Sequence, residues 1–382
     1  MWWYTSVAIM VILSVCYLSL ILYYRNKFLK LKEYPPARHT PTTKFSIIIP
    51  ARNEEENIRV CLQSIYQNDY PPELFEVLVI DDHSTDSTSE VIKSFSLNYS
   101  SLKLITLADE LDTKRLNAYK KKAIEIAIGK SSGDWIITTD ADCIVPVKWL
   151  INLDNFIQDK KPVLIAGPVK FINTGSFVSI FQCLDFLGLQ GITAASVSSG
   201  MHSMCNGANL AYAKEAFYAV NGFKGIDNVA SGDDMLLMHK IGKNFPGRIE
   251  YIFSKENIVS TDPMPDWKSL INQRIRWASK SENYDDKSIL WVLVIVYLYN
   301  VMLTVLPVLG LWNIFFLHAV IVLVLFKIIA ELLLLFPVAA FYNEKKMLGW
   351  FPIMQPLHIV YSVTVGWLGK FGSYQWKGRK VI

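Results

Sequence analysis

Two long stretches without charge constrain this 382-residue chain more than any other feature. No charged residue occurs at positions 2–24, and none occurs at 288–326. A helix needs about 20 predominantly apolar residues to cross the hydrocarbon core of a bilayer. The chain is also 52% hydrophobic, which is more apolar than an average soluble protein. These features predict an integral membrane protein.

Basic residues after the first apolar stretch predict its orientation. Arg25, Lys27, Lys30 and Lys32 follow it closely, and such residues concentrate on the cytoplasmic side of a membrane. A cleaved signal would instead carry positive charge before its apolar run and small residues after it. We therefore predict a transmembrane anchor at 1–24, a linker at 25–43 and a cytoplasmic domain at 44–287, in a protein of the plasma or inner membrane.

The second apolar stretch opens a membrane region predicted at 288–370, with two to three segments. Pro307 and Gly310 divide it into a helical hairpin. The second arm carries Lys327 and Glu331 on one helical face, and we expect these charges to pair or to face protein. The side on which the basic tail at 371–382 lies stays open. Its charge favours the cytoplasm, whereas alternation from the hairpin favours the outside.

Between the apolar stretches, short β-rich runs alternate with segments of helical periodicity. Such alternation predicts an α/β fold with a mostly parallel, doubly wound, Rossmann-like sheet. The predicted strands are 45–49, 75–80, 102–107, 135–139 and 162–167, and the predicted helices are 54–67, 86–95, 113–128 and 147–156.

Three of the predicted strands end in acidic sequence. The first runs into Pro50-Ala-Arg-Asn-Glu-Glu-Glu56, the second into Asp81-Asp-His-Ser-Thr-Asp86, and the fourth into Asp140 and Asp142. Taken singly, each of these is better explained as a turn followed by a helix cap. Ligands of open α/β sheets bind beyond the carboxyl ends of the strands. Three acidic ends at one edge therefore favour a binding site.

Asp140 and Asp142 have the spacing of a metal site. Positions i and i+2 of a strand project to the same side, so both carboxylates can converge. Mg²⁺ or Mn²⁺ takes oxygen ligands and often completes its shell with substrate phosphates, which makes a nucleoside diphosphate the natural partner. The five cysteines lack zinc spacing, and no basic run is dense enough to indicate a nucleic-acid partner.

A series of motifs over roughly 44–280 resembles glycosyltransferase family 2, the inverting GT-A enzymes with nucleotide-sugar donors. The last motif is typical of the membrane-bound branch that includes polysaccharide synthases and ceramide-glucosyltransferase-like enzymes. In chain order the motifs are Ile47-Ile-Ile-Pro-Ala-Arg-Asn-Glu54, Val79-Ile-Asp-Asp-His-Ser-Thr-Asp86, Lys120-Lys-Lys-Ala123, Asp140-Ala-Asp142, Cys205-Asn-Gly-Ala-Asn209, Gly232-Asp-Asp234 and Gln273-Arg-Ile-Arg-Trp277.

The resemblance implies a role for each matching residue. Asp234 would be the general base, with Asp233 beside it in the acidic pair, although a helix cap is the alternative for Asp233. Among three adjacent lysines, Lys120 is the one assigned to the donor. Donor binding is implied for Pro50, Arg52, Asn53, Glu54, Asp81, Asp82, Lys120, Asp140 and Arg276, acceptor binding for Asn206, Gly207, Gln273 and Trp277, and metal binding for Asp140 and Asp142.

The acceptor stays open between a growing polysaccharide and a membrane lipid. The small membrane region is short for a channel that extrudes a polymer, unless protomers associate into a homo-oligomer. The segment at about 265–280 is also expected to lie on the membrane surface as an amphipathic helix. Two other hypotheses are a transporter or channel with a regulatory nucleotide-sugar-binding domain, and a catalytically inactive nucleotide-sugar sensor.

Overall fold

A computed structural model describes residues 2–36, 38–110, 118–201, 204–227, 232–279, 287–371, 374–376 and 379–381. The helices are α1 (Trp2–Phe28), α2 (Ile58–Tyr66), α3 (Thr88–Ser96), α4 (Leu107–Glu110), α5 (Tyr119–Lys130), α6 (Trp149–Lys160), α7 (Phe177–Ser198), α8 (Lys214–Ala219), α9 (Met235–Asn244), α10 (Trp267–Ala278), α11 (Lys287–Leu309), α12 (Ile314–Phe341) and α13 (Phe351–Phe371). The strands are β1 (Phe45–Ala51), β2 (Phe75–Asp81), β3 (Leu102–Thr106), β4 (Trp135–Thr138), β5 (Cys143–Ile144), β6 (Leu164–Ala166), β7 (Val169–Phe171), β8 (Leu210–Ala213), β9 (Ile249–Tyr251), β10 (Val259–Thr261), β11 (Tyr374–Trp376) and β12 (Arg379–Val381).

A seven-stranded sheet in the order β3-β2-β1-β4-β8-β6-β9 forms the centre of the fold. Its β8 runs antiparallel to β4 and β6, whereas the other paired strands are parallel. Ile48, Val79 and Ile136 are fully buried in three adjacent strands. Both faces of the sheet are therefore covered, as is typical of a parallel sheet. The prediction of a mostly parallel α/β sheet is confirmed, and all five predicted strands are present.

Several elements differ from the sequence prediction. The helix predicted at 54–67 begins only at Ile58, because Asn53 has φ 52° and the chain turns before the helix. The helix predicted at 113–128 begins at Tyr119, and residues 111–117 lie outside the described part of the chain. Sequence analysis missed α7 and the strands β5, β7, β8, β9 and β10. These strands have two to four residues, too few to show a periodicity of two.

Among the residues that the structure describes, four helices are long and apolar enough to cross a membrane: Tyr4–Phe28, Phe177–Ser198, Ile289–Leu309 and Ile314–Phe341. The first corresponds to the predicted anchor, and the last two correspond to the predicted hairpin. Phe177–Ser198 was not predicted and is mostly buried within the protein. It packs against α1 and α12 on one side and against β7 and β9 on the other. The third predicted segment forms α13.

A buried ion pair joins the apolar helices. Lys327 Nζ lies 2.7 Å from Glu331 Oε1 and 3.0 Å from Gln355 Oε1, and the Tyr17 hydroxyl donates to Glu331. These contacts connect α12 with α13 and α1. The prediction that Lys327 and Glu331 pair is confirmed. Because Lys327 is fully buried, the pair is a contact within the helix bundle, which argues against the hypothesis that it lines a transport pathway.

Close packing between α7 and α12 yields a test of the fold. A Cβ added at Gly191 would lie 2.5 Å from Val338 Cγ2, whereas one added at Gly188 would lie 3.7 Å from its nearest neighbour, Leu335 Cδ2. We predict that Gly191→Ala lowers the free energy of unfolding by about 1–3 kcal/mol through overpacking. Gly188→Ala serves as the matched control and should be neutral, or stabilising by up to about 1 kcal/mol. Denaturant unfolding of the detergent-solubilised protein measures both, and equal effects would contradict the α7–α12 contact.

Candidate active site

A cavity of about 430 Å³ opens at the carboxyl ends of β1, β2 and β4. Acidic residues from all three strand ends reach it, as the position of ligand sites in open α/β sheets predicts. The residues predicted from the sequence that line this cavity are Pro50, Arg52, Glu54, Asp82, Lys120, Asp140, Asp142, Asn206, Gly207, Asp233, Asp234, Gln273, Arg276 and Trp277.

Two residues predicted to bind the donor, Asn53 and Asp81, do not line the cavity. Asn53 Oδ1 accepts the Thr85 N–H at 2.9 Å, which ties the loop after β1 to the loop after β2. Asp81 is buried and accepts the Ser84 N–H at 2.9 Å and the Ser89 hydroxyl. In the structure, both residues hold the loops after β1 and β2 together, and their role in donor binding stays a prediction.

Asp82 is held at the cavity wall by two neighbours. Arg52 Nη1 donates to the Asp82 carbonyl oxygen at 2.7 Å and lies 4.0 Å from Asp82 Oδ1. His83 Nδ1 lies 3.0 Å from the same carboxylate oxygen. A carboxylate fixed in this way can accept hydrogen bonds from the hydroxyl or N–H groups of a ligand.

Lys120 lies between the two acidic pairs. Its Nζ is 2.9 Å from Asp140 Oδ1 and 3.4 Å from Asp233 Oδ2. Burial lowers the pKa of Lys120, but the carboxylates of Asp140, Asp233 and Asp234 outweigh it, and the resulting pKa is well above the ordinary value. Lys120 is therefore a permanent cation at physiological pH.

The structure also distinguishes Lys120 from the two lysines that follow it. Lys121 is buried and donates to the Ile226 carbonyl at 2.7 Å, and Lys122 pairs with Glu125 at 2.7 Å. Of the three adjacent lysines, Lys120 alone lines the cavity. This geometry agrees with the assignment that the family resemblance implies.

Asp140 and Asp142 have the donor set expected of a site for a hard cation. Their carboxylate oxygens and Cys143 Sγ lie within 4.8 Å of one another. Cys143 is buried, and its soft sulfur is a poor ligand for Mg²⁺ or Mn²⁺. The two carboxylates can bind such a cation in a way that leaves ligand positions for the phosphates of a substrate. The residues present therefore fit a divalent cation.

Asp234 is oriented by backbone amides. The positive φ of Gly232, 79°, allows the sharp turn before α9, as predicted. Asp234 caps α9, with Oδ1 accepting the Met235 N–H at 2.7 Å and Oδ2 accepting the Gly207 N–H at 3.1 Å. The cap therefore belongs to Asp234 and not to Asp233, which lies beside Lys120. Because each carboxylate oxygen can accept more than one hydrogen bond, Asp234 can still accept a proton from a substrate.

An apolar wall faces these charged groups. Side chains of α7, β7 and α10 form this wall together with side chains near β8 and β10. Most of these wall residues were not predicted from the sequence. Gln190 and Thr193, in a largely apolar segment that also carries Gln182 and Asp185, were the available signal for α7. The wall consists of Phe171, Phe186, Leu189, Gln190, Thr193, Met204, Met264 and Trp277.

The family comparison agrees with this geometry. Residues 46–182 match the model described as glycosyl transferase family 2. Residues 135–354, more than half of the chain, match the model of glycosyl transferase family group 2. The chain belongs to glycosyltransferase family 2.

Curated members of family 2 are similar to parts of the chain. Glycosyltransferase AglE from Haloferax volcanii is 33% identical over 133 residues, which cover 35% of this chain and 41% of AglE. An N-acetylglucosaminyltransferase from Rhizobium meliloti is 27% identical over 253 residues, which cover 64% of this chain and 57% of the relative. The chain spans about half the length of the curated relatives it matches.

A solved structure shows the same fold. The mannosyltransferase PcManGT from Pyrobaculum calidifontis, in complex with GDP-Man and Mn²⁺, superposes with a TM-score of 0.58. The match covers 94% of this chain and 98% of PcManGT at 21% sequence identity. The predicted GT-A fold is thus confirmed.

Within the Gln-x-x-Arg-Trp motif of this family 2 chain, a buried ion pair supports Trp277. The Arg274 guanidinium lies 4.2 Å from the centroid of the Trp277 ring, and Arg274 Nη2 lies 2.9 Å from Asp185 Oδ2. His358 Nε2 lies 3.4 Å from the other Asp185 oxygen. Arg274 therefore connects Trp277, which lines the cavity, to α7 and α13. Sequence analysis did not identify this pair.

A double-mutant cycle tests this ion pair. We predict that Arg274→Met lowers the free energy of unfolding by about 3 kcal/mol, since it leaves the buried Asp185 without its nearest cation. In Asp185→Leu/Arg274→Met both charges are absent, so the double variant should lose at least about 1 kcal/mol less than the sum of the single changes. Denaturant unfolding of the four proteins gives the coupling energy. Additive effects would show that Arg274 and Asp185 are independent.

Proposed function

We propose that this protein is a membrane-bound inverting glycosyltransferase that moves a sugar from a nucleotide donor to a polysaccharide or lipid acceptor. One observation carries the proposal: the Asp140/Asp142 pair and the Asp233/Asp234 pair lie on either side of Lys120, in one cavity at the edge of a GT-A sheet. The first pair fits the leaving group of the donor, and the second fits the hydroxyl of the acceptor.

The donor occupies the part of the cavity near β1, β2 and β4. Asp82 and Arg52 contact the nucleoside, and Arg276 and Lys120, which line the same cavity, interact with the diphosphate. Asp140 and Asp142 would hold Mg²⁺ or Mn²⁺, which would supply positive charge next to the leaving diphosphate. A UDP-sugar is the donor that the family resemblance implies. PcManGT was solved with the nucleotide sugar GDP-Man and Mn²⁺, which agrees with a nucleotide-sugar donor.

Asp234 acts as the general base. As the acceptor hydroxyl attacks the anomeric carbon, its oxygen forms the new glycosidic bond and its proton passes to Asp234. The bond between the anomeric carbon and the diphosphate oxygen breaks at the same time, and the diphosphate leaves with the electron pair. Attack on the face opposite the leaving group inverts the anomeric configuration. The Gly207 and Met235 amides keep the Asp234 carboxylate in position.

The acceptor binds between Asp234 and the apolar wall. Asn206, Gly207 and Gln273 supply polar contacts, and the Trp277 ring offers a flat face for a sugar. The apolar helices would anchor the protein in a membrane, and the basic residues after α1 favour a catalytic domain on the cytoplasmic side. A polymer-extruding channel would require more helices than the described part of this chain supplies, so a polysaccharide product would require association of protomers.

The donor and the cation are tested together. Membranes that contain the full-length protein are incubated with a panel of nucleotide sugars, in Mn²⁺ or in EDTA, and the release of nucleoside diphosphate is measured. We predict release from at least one donor and a loss of at least about 100-fold in EDTA. Separating the product into polymer and organic-extractable lipid identifies the type of acceptor. Donor turnover that is unaffected by EDTA would contradict the cation site.

A single substitution tests the base. Asp234→Asn removes the group that takes the proton, and we predict that transfer falls by about 10³-fold while nucleotide binding in Mn²⁺ changes less than about threefold. Asp266→Asn is the matched control, because Asp266 caps α10 through the Ser269 N–H at 2.8 Å. The control makes the same chemical change at a helix cap and should leave transfer within about twofold. Retained turnover in Asp234→Asn would exclude Asp234 as the base.

A further inference from the structure

The proposed chemistry gives no role to Gln190. Gln190 lies on α7, is only 4% exposed, and lines the cavity beside Leu189. A buried polar group costs free energy when it has no hydrogen-bond partner. A glutamine in the apolar wall therefore requires an explanation.

The amide of Gln190 has a fixed orientation. Its Oε1 accepts the Val169 N–H at 3.1 Å and the Tyr342 hydroxyl at 3.3 Å. Two donors at Oε1 determine which end of the amide is the oxygen. Among the residues that the structure describes, no hydrogen bond from Gln190 Nε2 is found. The two N–H groups of Gln190 are therefore available to a ligand in the cavity.

The charges around the acceptor side favour a neutral ligand. Asp233, Asp234 and Asp262 line the same cavity as Gln190. Their field would repel a phosphate group. A sugar ring, in contrast, can accept a hydrogen bond from Gln190 through a hydroxyl oxygen and can place its C–H face on Trp277 or Phe186.

We propose that Gln190 is an acceptor-binding residue that donates a hydrogen bond to a neutral sugar oxygen, so that the acceptor ends in an uncharged glycosyl unit and not in a phosphate. The inference rests on the proposed function, since it assigns the acceptor of that same site. It adds a side chain on α7 to the predicted acceptor-binding residues, all of which lie near β8 or on α10.

Two kinds of acceptor probe test the proposal. The full-length protein is purified in lauryldimethylamine oxide, a detergent without sugar, and supplied with the donor that the panel identifies. The neutral probes are the octyl β-glycosides of glucose, galactose, mannose and N-acetylglucosamine, and the anionic probe is farnesyl phosphate. We expect transfer to at least one octyl glycoside and none to farnesyl phosphate.

Variants then test Gln190 itself. Gln190→Glu keeps an oxygen for Val169 and Tyr342 but replaces the N–H donors, so the KM for the octyl glycoside should rise about tenfold or more, with kcat within about threefold. Mn²⁺-dependent hydrolysis of the donor without acceptor should stay within about twofold. Gln190→Leu should show the same rise in KM with little change in kcat. It replaces Gln190→Glu in the test if the glutamate variant does not fold. Ser196→Ala, a change on the same helix outside the cavity lining, should leave all these values unchanged.

The outcomes separate this proposal from the proposed function. Any of three results would overturn the role of Gln190. These are transfer to farnesyl phosphate alone, no transfer to any octyl glycoside, and a KM for the octyl glycoside that stays within twofold in Gln190→Glu. An equal loss of donor hydrolysis and transfer in this variant would also overturn it. In each case, Mn²⁺-dependent release of nucleoside diphosphate by the unchanged protein would show that the glycosyltransferase assignment stands.

Discussion

The ammonium group of Lys120 connects the parts of this site. It bridges Asp140, in the predicted cation site, and Asp233, next to Asp234 in the sequence. Like charges in an enclosed space repel, and the Lys120 cation between the two acidic pairs offsets that repulsion. The lining still carries more carboxylates than basic residues, which favours the binding of a divalent cation. The diphosphate of the donor would then bind next to a divalent cation, in a cavity whose charged side chains are mostly acidic.

The sheet explains why residues from distant parts of the sequence meet here. Parallel strands β1, β2 and β4 end at the same edge, so their acidic loops converge. The reversed strand β8 brings its amino end to this edge, because it runs antiparallel to β4. Asn206 and Gly207 immediately precede β8, and the Gly207 N–H reaches Asp234. One antiparallel strand thus places the loop that carries Asn206 and Gly207 beside Asp234, and α7 and α10 also line the cavity.

Much of the site could be predicted from sequence because its local patterns depend on short-range geometry. Apolar runs indicated β1 to β4 and β6. The two aspartates do lie close together, but β4 ends at Thr138, so Asp140 and Asp142 converge in the turn after the strand and not through the i, i+2 alternation of a strand. Other features depend on contacts between distant segments. Lys120 lines the cavity and Lys121 and Lys122 do not. This difference depends only on the residue at which α5 begins and on the direction in which the helix then points each side chain. The pairing of Arg274 with Asp185 depends on how α10 packs on α7, and α7 itself lacks an amphipathic pattern because protein surrounds most of it.

The central claim is that Asp140 and Asp142 hold a divalent cation next to the diphosphate of a nucleotide donor. An experimental structure of the full-length protein with a nucleoside diphosphate and Mn²⁺ tests it most directly, since the anomalous scattering of manganese locates the ion. The account predicts a manganese peak within coordination distance of Asp140 or Asp142 and phosphate oxygens between the ion and Arg276. A nucleotide bound outside this cavity, or manganese bound away from both aspartates, would contradict it.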